Sequence, residues 1–464
     1  NHTLTFTATN NITLAGAIYV GAGGTFNISA NTAVQMNNNT VNPPASGTGD
    51  VLFAGNFDIH SLGNFSVVGR NITVCGIGAG GLCNVASIPA TQSALGENLL
   101  AAGMLTMGTN ANGTLTLTAG APTATSASAA LIDAATVNIG SAGTPMNGVT
   151  LTGGTVAASS PAQQLHTDAI IKASGQLSLF AGAGGVTLMG GSSTVTGGGS
   201  TAQASAAAAL KGGSVGFVVS NGGNVLMQGG TSSANSGLAG LNTDLSADSS
   251  VSIVSGASFS PTIAGTLTMK GGSATVPPGS SSAHASSAAL IDGGMDLNLK
   301  TGGALTLTAG TAVANGGSGS CDPRFGSGGA CANASALLTS TSGKDITAAT
   351  GDINFSGGVT ASTASGPAAT AVAIAGTNQG SVPGTLATLL TLSAQSGHVI
   401  LTAGPQSSSG GGTVNTNVSI LSVGGIKISA VPGGGLPGLV LNGDARSGLY
   451  QNVLSTGTIV RLDG

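Results

Sequence analysis

The chain has 464 residues and a formal net charge of −4, and charged residues make up 5% of it, against roughly 25% in a typical soluble protein. Its ten Lys and Arg residues form no basic patch for phosphate groups, so nucleic acid is not an expected partner. Mean hydropathy is +0.38. However, no run of about 18 apolar residues is free of Gly, Ser and Thr, so we expect no membrane-spanning helix.

Residues 1–112 form the less regular part of the sequence. Alternation of apolar and polar residues predicts short strands there, at 3–8, 25–29, 51–53, 57–59, 65–68 and 72–74. We interpret this part as shorter or imperfect repeats of the unit that fills residues 113–464.

A short phrase returns eight times after residue 112. It consists of Gly, two apolar residues separated by one residue, then a small residue and Gly, as in Gly-Thr-Leu-Thr-Leu-Thr-Ala-Gly. The copies lie at 113–120, 147–154 (where Asn replaces the opening Gly), 184–191, 223–230, 265–272, 303–310, 351–358 and 397–404. Their starts are 34 to 48 residues apart. A strand phrase repeated at this spacing is typical of a solenoid, in which each unit buries its apolar face against its neighbours.

Two further strands are predicted in each unit. If the phrase is strand one, strand two is Ala-rich and strand three alternates again. Strand two is predicted at 129–132, 169–171, 207–210, 288–291 and 336–338, and strand three at 137–139, 177–179, 251–253, 297–299 and 426–428. Only a short Gly-rich stretch separates 177–179 from the phrase strand at 186–188, so one unit is one coil of three strands.

The length of the unit varies mainly between strand one and strand two. It is greatest at 315–333, which holds two of the four cysteines. Insertions at the same corner of successive coils would form a ridge of loops on one side. One charge pattern tests the alignment, because Asp133 and Lys172 each directly follow strand two and should lie on adjacent coils about 4.8 Å apart.

The four cysteines form two closely spaced pairs. Cys75 and Cys83 bracket one Gly-rich stretch, and Cys321 and Cys331 bracket another. This spacing favours two local disulfides and an oxidising compartment. A metal site is the alternative, but it needs four clustered ligands and no His lies near either pair.

We expect no catalytic site, metal or cofactor. The five histidines, at positions 2, 60, 166, 284 and 398, have no other ligand at metal-binding spacing, and the 14 carboxylates are dispersed. The Gly-rich strings are turn glycines, because no strand-to-helix context accompanies them.

The two ends of the sequence resemble parts of one unit. Residues 2–9 resemble strand one, and residues 458–464 resemble strand three with its turn. We therefore predict a head-to-tail homopolymer, with contact residues Thr3, Leu4, Phe6, Ile459, Val460 and Leu462. A contact of this kind does not close on itself and generates a fibre. The alternative is that the sequence is a piece of a longer solenoid.

The phrase, with paired segments such as Gly-Gln-Leu-Ser-Leu at 175–179 and Gly-Val-Thr-Leu at 185–188, resembles filamentous-haemagglutinin-type proteins, which are bacterial surface or secreted adhesins. The resemblance covers roughly residues 113–464. It implies a right-handed parallel β-helix, export across a bacterial envelope, and a role in adhesion, matrix or filament formation.

The expected protein is therefore an all-β, right-handed parallel β-helix with three strands per coil and about one coil per 34–48 residues. Its expected function is that of an extracellular structural protein, the subunit of a surface fibre or biofilm-matrix filament, and not an enzyme. The alternative is an adhesin that binds host or matrix glycans through the loop ridge, and a polysaccharide-acting enzyme comes third.

Overall fold

The structure is a computed structural model of the whole chain. It describes residues 3–8, 12–14, 18–20, 25–30, 50–54, 58–76, 97–109, 112–121, 129–159, 164–196, 202–235, 245–277, 283–315, 330–364, 369–379, 390–410, 413–415, 418–421, 426–431, 438–442, 444–447 and 459–463.

These residues form 46 strands and no helix. In the first half the strands are β1 (Thr3–Ala8), β2 (Ile12–Leu14), β3 (Ile18–Val20), β4 (Thr25–Ala30), β5 (Val51–Ala54), β6 (Asp58–Ser61), β7 (Asn64–Val68), β8 (Ile72–Cys75), β9 (Glu97–Gly108), β10 (Thr114–Thr118), β11 (Ala130–Ile139), β12 (Met146–Thr152), β13 (Thr155–Ala158), β14 (Gln164–His166), β15 (Ala169–Met189), β16 (Ser192–Thr196), β17 (Ala202–Ser205), β18 (Ala208–Val219), β19 (Val225–Gln228), β20 (Thr231–Asn235), β21 (Leu245–Asp248), β22 (Val251–Ser255) and β23 (Thr262–Ile263).

The second half continues with β24 (Leu267–Lys270), β25 (Ser273–Val276), β26 (Ala283–Ser286), β27 (Ala289–Asp292), β28 (Leu297–Thr301), β29 (Leu305–Thr308), β30 (Thr311–Ala314), β31 (Ala330–Asn333), β32 (Ala336–Ser340), β33 (Lys344–Ala348), β34 (Ile353–Ser356), β35 (Val359–Ala364), β36 (Ala369–Val372), β37 (Ala375–Gln379), β38 (Leu390–Ala394), β39 (Val399–Thr402), β40 (Gln406–Gly410), β41 (Thr413–Asn415), β42 (Val418–Leu421), β43 (Ile426–Ala430), β44 (Leu439–Asn442), β45 (Asp444–Ser447) and β46 (Ile459–Asp463).

The fold is all-β, and its strands pair in parallel with the equivalent strands of the preceding and following repeats. A 32-stranded sheet contains three columns of stacked strands, and two smaller sheets of seven strands each lie beside it. Column one holds the phrase strands, for example β19, β24, β29, β34 and β39. Column two holds the Ala-rich strands, such as β27 and β32, and column three holds strands such as β28 and β33.

The core consists of ladders of apolar side chains that run from repeat to repeat. In column one Leu267 pairs with Leu305, Leu305 with Ile353, and Ile353 with Val399, and all four side chains are buried. The residue after Leu305 points outward and is only partly buried, as the period of two requires. The alternation that predicts these strands therefore also predicts which of their side chains form the core.

The expectation of three strands per coil is wrong for the later repeats. From β12 onward a complete repeat has five strand positions, as in β24, β25, β26, β27 and β28. The two additional positions form the seven-stranded sheets, one containing β25 and the other β26. Their short sequences of Ser, Ala, Thr and Val lack the large apolar residues on which the strand prediction depended. The residues of variable length between these two positions, such as 278–282 and 316–329, lie outside the described residues.

One strand of the core belongs to a different column from the one predicted. Residues 251–253 were expected to form strand three, but β22 pairs with Ala208–Gly212 of β18 and with β27, which places it in column two. Column three is occupied in this repeat by β23, which pairs with β18 and β28. Val-Ser-Ile fits either column, because both bury alternate residues.

The first and last strands also differ from their predicted types. β1 pairs with β4, and β4 with β7, so β1 belongs to column three and not to column one. β46 pairs with β42, which belongs to column two and not to column three. Within a repeat, column three directly follows column two. The last strand, β46 in column two, and the first strand, β1 in column three, therefore still correspond to consecutive positions of one unit.

The last glycine of the phrase has a packing role where the chain leaves column one. A Cβ atom on Gly272 would lie 1.9 Å from the carbonyl oxygen of Gly230, and a Cβ on Gly310 would lie 1.9 Å from that of Gly272. Successive turns therefore stack with main chain against main chain. This close approach explains why each phrase ends in Gly.

Replacing Gly272 by Ala should lower the free energy of unfolding by about 1–3 kcal/mol or more, because the added methyl group overlaps the carbonyl of the preceding turn. Gly143→Ala is the matched control, since a Cβ there would meet no atom within 4 Å. Thermal and urea unfolding of both variants measure the difference. Equal loss of stability in the two variants would contradict the stacked-turn geometry.

Candidate functional site

Polar side chains are concentrated at the corners where one strand position gives way to the next. At the entry to column one, Asn71 Oδ1 accepts hydrogen bonds from the amide and the hydroxyl of Thr114, at 3.2 and 3.0 Å. Asn224 Oδ1 does the same with Thr266, at 2.8 and 2.9 Å. In both cases the acceptor lies one repeat before the donor, so the side chain joins consecutive repeats.

A similar contact forms at the corner between columns two and three. Asp296 accepts hydrogen bonds from the Ser342 hydroxyl, from the Gly343 amide at 2.9 Å and from the Ser258 hydroxyl at 3.0 Å. These bonds, chiefly the one from Ser342, lower the pKa of the Asp296 carboxyl. Asn64 caps the amide of Met104 in the same way, at 2.9 Å. These contacts were not predicted from the sequence, although an Asn or Asp directly before the first apolar residue of a strand is a visible signal.

A cluster of titratable and hydroxyl side chains lies between the sheet that contains β17 and column two. Asp168 Oδ1 accepts hydrogen bonds from the Ser205 hydroxyl at 2.5 Å and from the Ala207 amide at 2.8 Å. Its other oxygen lies 3.5 Å from His166 Nδ1. Burial raises the pKa of nearby Asp248, although hydrogen bonds from Ser250 oppose the shift.

The order of these residues does not fit nucleophilic catalysis. In a catalytic triad the histidine accepts the proton of the serine, and the carboxylate orients the histidine. Here the Ser205 hydroxyl donates to Asp168, so the carboxylate lies between the serine and His166. We therefore assign Asp168 a structural role, as a cap that connects its repeat to the next.

The predicted alignment of Asp133 and Lys172 is confirmed. The two residues are register partners on adjacent strands, and Lys172 Nζ lies 3.2 Å from Asp133 Oδ2. Half of the Lys172 side chain is exposed, so the pair contributes at most about 1 kcal/mol to stability. Its value is that it verifies the predicted register of these two repeats.

A shallow groove of about 490 Å³ runs along the turns that follow column one. It crosses four repeats, and its floor consists of the paired glycines that end successive phrases. Gln228, Thr231, Ser273 and Thr311 line it, and none of these side chains carries a charge.

Two of the four predicted disulfide residues can be placed. Cys75 ends β8 and Cys331 lies in β31, and both are buried. Cys83 and Cys321 lie outside the described residues, so the pairings Cys75–Cys83 and Cys321–Cys331 stay predictions.

The predicted polymer-contact residues lie in the first and last strands. Thr3, Leu4 and Phe6 are in β1, which pairs with β4 alone among the described strands. Ile459, Val460 and Leu462 are in β46, which has partners on both sides, β42 and β45. The strands at this end that have one partner among the described strands are β43, β44 and β45, which pair with β38, β39 and β46. The contact itself stays a prediction.

Among the described residues, no three His, Cys, Asp or Glu side chains are close enough together to share a metal ion. The same part of the chain contains no helical segment with the length and hydropathy of a membrane span. Comparison of the sequence and structure with family models, curated proteins and solved structures finds no match. The resemblance to filamentous-haemagglutinin-type proteins therefore stays a hypothesis.

Asn224→Ala should lower the free energy of unfolding by about 1–3 kcal/mol, because the Thr266 amide loses its acceptor. Asn224→Asp keeps the acceptor oxygen and should lose much less. Urea unfolding of the two variants measures the difference. If Asp is as destabilising as Ala at this position, the side chain does not act as the proposed acceptor.

The pKa of His166 should lie above its ordinary value of 6.5, and Asp168→Asn should lower it. The interaction with Asp168 is the main cause of the increase, and partial burial opposes it. Because the folded pKa is raised, the stabilising contribution is complete below pH 6.5 and is lost as the pH rises through the folded pKa. NMR titration of the imidazole measures the pKa. The control is Lys172→Met, at a half-exposed side chain, which should leave the pKa of His166 unchanged. An unshifted His166 in the unmodified protein would contradict the interaction.

Proposed function

We propose that the chain is a right-handed parallel β-helix that serves as an extracellular structural protein, with copies joined end to end in a surface fibre or biofilm-matrix filament. The observation that carries the proposal is the parallel register of equivalent strands, which continues in column one from β2 to β44. Stacking of this kind extends a protein in one direction and builds a long body from small units.

The use of polar residues supports a structural role. Asn71, Asn224, Asp168 and Asp296 accept hydrogen bonds from the main chain of the following repeat. Side chains held in this way stabilise the stack and have few free acceptor positions for a substrate. Only 5% of the chain is charged, which removes much of the repulsion that normally keeps copies apart.

The strands at the two ends of the stack support end-to-end association. β1, β2 and β3 each have one partner among the described strands, namely β4, β5 and β6. Phe6 is aligned through β4 with buried Val67, yet 37% of its surface is exposed. At the other end, Ile426, Ile428, Leu439 and Leu441 pack against the core but are only partly buried. Open edges with exposed core residues favour pairing with another chain.

The columns determine which strands would meet. β1 and β43 both belong to column three, and β2 and β44 both belong to column one. β1 of one copy would therefore stack on β43 of the next, with Phe6 near Ile428. Since the two surfaces differ, the contact is heterologous and repeats without closing.

An adhesin that binds glycans is the second candidate. The groove over the paired glycines favours it, because Gln228, Thr231, Ser273 and Thr311 supply uncharged hydrogen-bonding groups along four repeats. A neutral glycan chain is the ligand that such a surface suits. That the protein is not an enzyme stays a prediction.

Electron microscopy of the purified protein should show filaments, and Phe6→Lys with Ile428→Lys should abolish them through repulsion between like charges at the contact. Combining Phe6→Lys with Ile428→Glu should restore them, because the opposite charges attract. Met189→Lys, at an exposed position on the side of the stack, is the control that should leave filaments intact.

Monodisperse monomers of the unmodified protein at all concentrations would contradict the fibre. In that case, binding to neutral glycans on an array, lost in the variant Gln228→Ala with Thr231→Ala, would support the adhesin. Circular dichroism of every variant verifies that strand content is unchanged.

A further inference from the structure

Lys344 occupies a core position of column three. It pairs with Leu297 in the preceding repeat and with Leu390 in the following one, and both leucines are buried. Only 2% of the lysine is exposed, and its amine has no hydrogen-bond partner. An amine in such a place has lost its hydration without gaining a compensating hydrogen bond.

Two buried hydroxyls without partners lie in the same part of the stack. Thr360 and Thr377 are both in the repeat that follows Lys344, which consists of β34 to β38. Thr377 takes a core position there, between Leu338 and Ile420. Both threonines are almost completely buried. We call Lys344, Thr360 and Thr377 together the polar layer. Each unpartnered group lowers the stability of its own repeat.

We propose that the polar layer is a built-in weak point of the stack, which opens ahead of the neighbouring repeats when Lys344 is protonated. Repeats contact only their neighbours, so a local cost is not spread over the whole chain. The layer would thus divide a long, uniform stack into two parts that separate under mildly acidic conditions.

The charged groups around Lys344 agree with opening of the layer on protonation. Burial lowers the pKa of its amine from 10.5 to about 7, and the opposing charge of Asp292, at the end of β27, only partly offsets this effect. The other charged groups on the adjoining elements are Lys300, Asp345 and Asp296, and all three are exposed. β32 and β38 carry no titratable residue.

The sign of the pH dependence follows from these values. Between pH 7 and 10.5 the opened state binds the proton and the closed state does not, so stability rises with pH across this window. Below pH 7 both states are protonated and the cost of the buried charge is complete.

Hydrogen exchange at pH 9 and pH 6, corrected for the intrinsic exchange rate, tests the proposal. Peptides within 330–364 should open roughly 10- to 100-fold more at pH 6 than at pH 9, whereas peptides within 245–277 should change much less. Lys344→Met should remove the pH dependence, because it keeps the apolar stem and deletes the amine. Lys300→Met, on the adjacent strand β28, is the matched control and should keep it.

Thr377→Val provides a second measurement. It should slow opening of the same peptides by a similar factor at both pH values, since it removes an unpartnered hydroxyl without removing a charge. Equal pH dependence in 330–364 and 245–277, or its persistence in Lys344→Met, would overturn the proposal.

Discussion

The fold depends on the hydrogen bonds between main chains of consecutive repeats. In a parallel stack no strand satisfies its own amides and carbonyls, so every repeat needs a neighbour in register on each side. The register is fixed by the alternation of apolar and polar residues, because a slip of one residue would turn the whole core face outward. The buried ladder from Leu267 through Leu305 to Ile353 shows that this condition holds over successive repeats.

At the corners of the repeat the main chain also needs hydrogen-bond partners, but it lacks the regular pairing of a strand. Where a strand ends, its alternation also ends, and the main chain must turn without losing its partners. Asn and Asp side chains supply acceptors there, as Asn224 does for the amide of Thr266. The paired glycines allow main chains to lie in direct contact, as Gly272 does with Gly230. Asn224, Asp168 and Asp296 thus hold one repeat to the next.

The sequence was sufficient to predict the features that repeat. The phrase strands, their inward residues and the register of Asp133 with Lys172 follow from spacing and alternation alone. The two smaller sheets could not be predicted in this way, because strands such as β25 and β26 contain small residues whose strand character comes from stacking and not from their own propensity. Residues 251–253 were placed in the wrong column for a related reason, since two columns share one pattern. The polar cluster around Asp168 was also missed, because its members are distant in sequence and meet only when the repeats stack.

The turn glycines have a consequence for how such a protein can change over time. At the last position of each phrase even a methyl group would overlap the preceding turn, as at Gly310, so nearly every missense mutation there is damaging. Between the strand positions of the two smaller sheets, in contrast, the number of residues already differs from repeat to repeat, and doubling the length of a flexible connection costs only about 0.6 kcal/mol. Mutation is therefore tolerated very unevenly within one repeat. New sequence should accumulate between these two strand positions, while the glycine turns stay nearly constant.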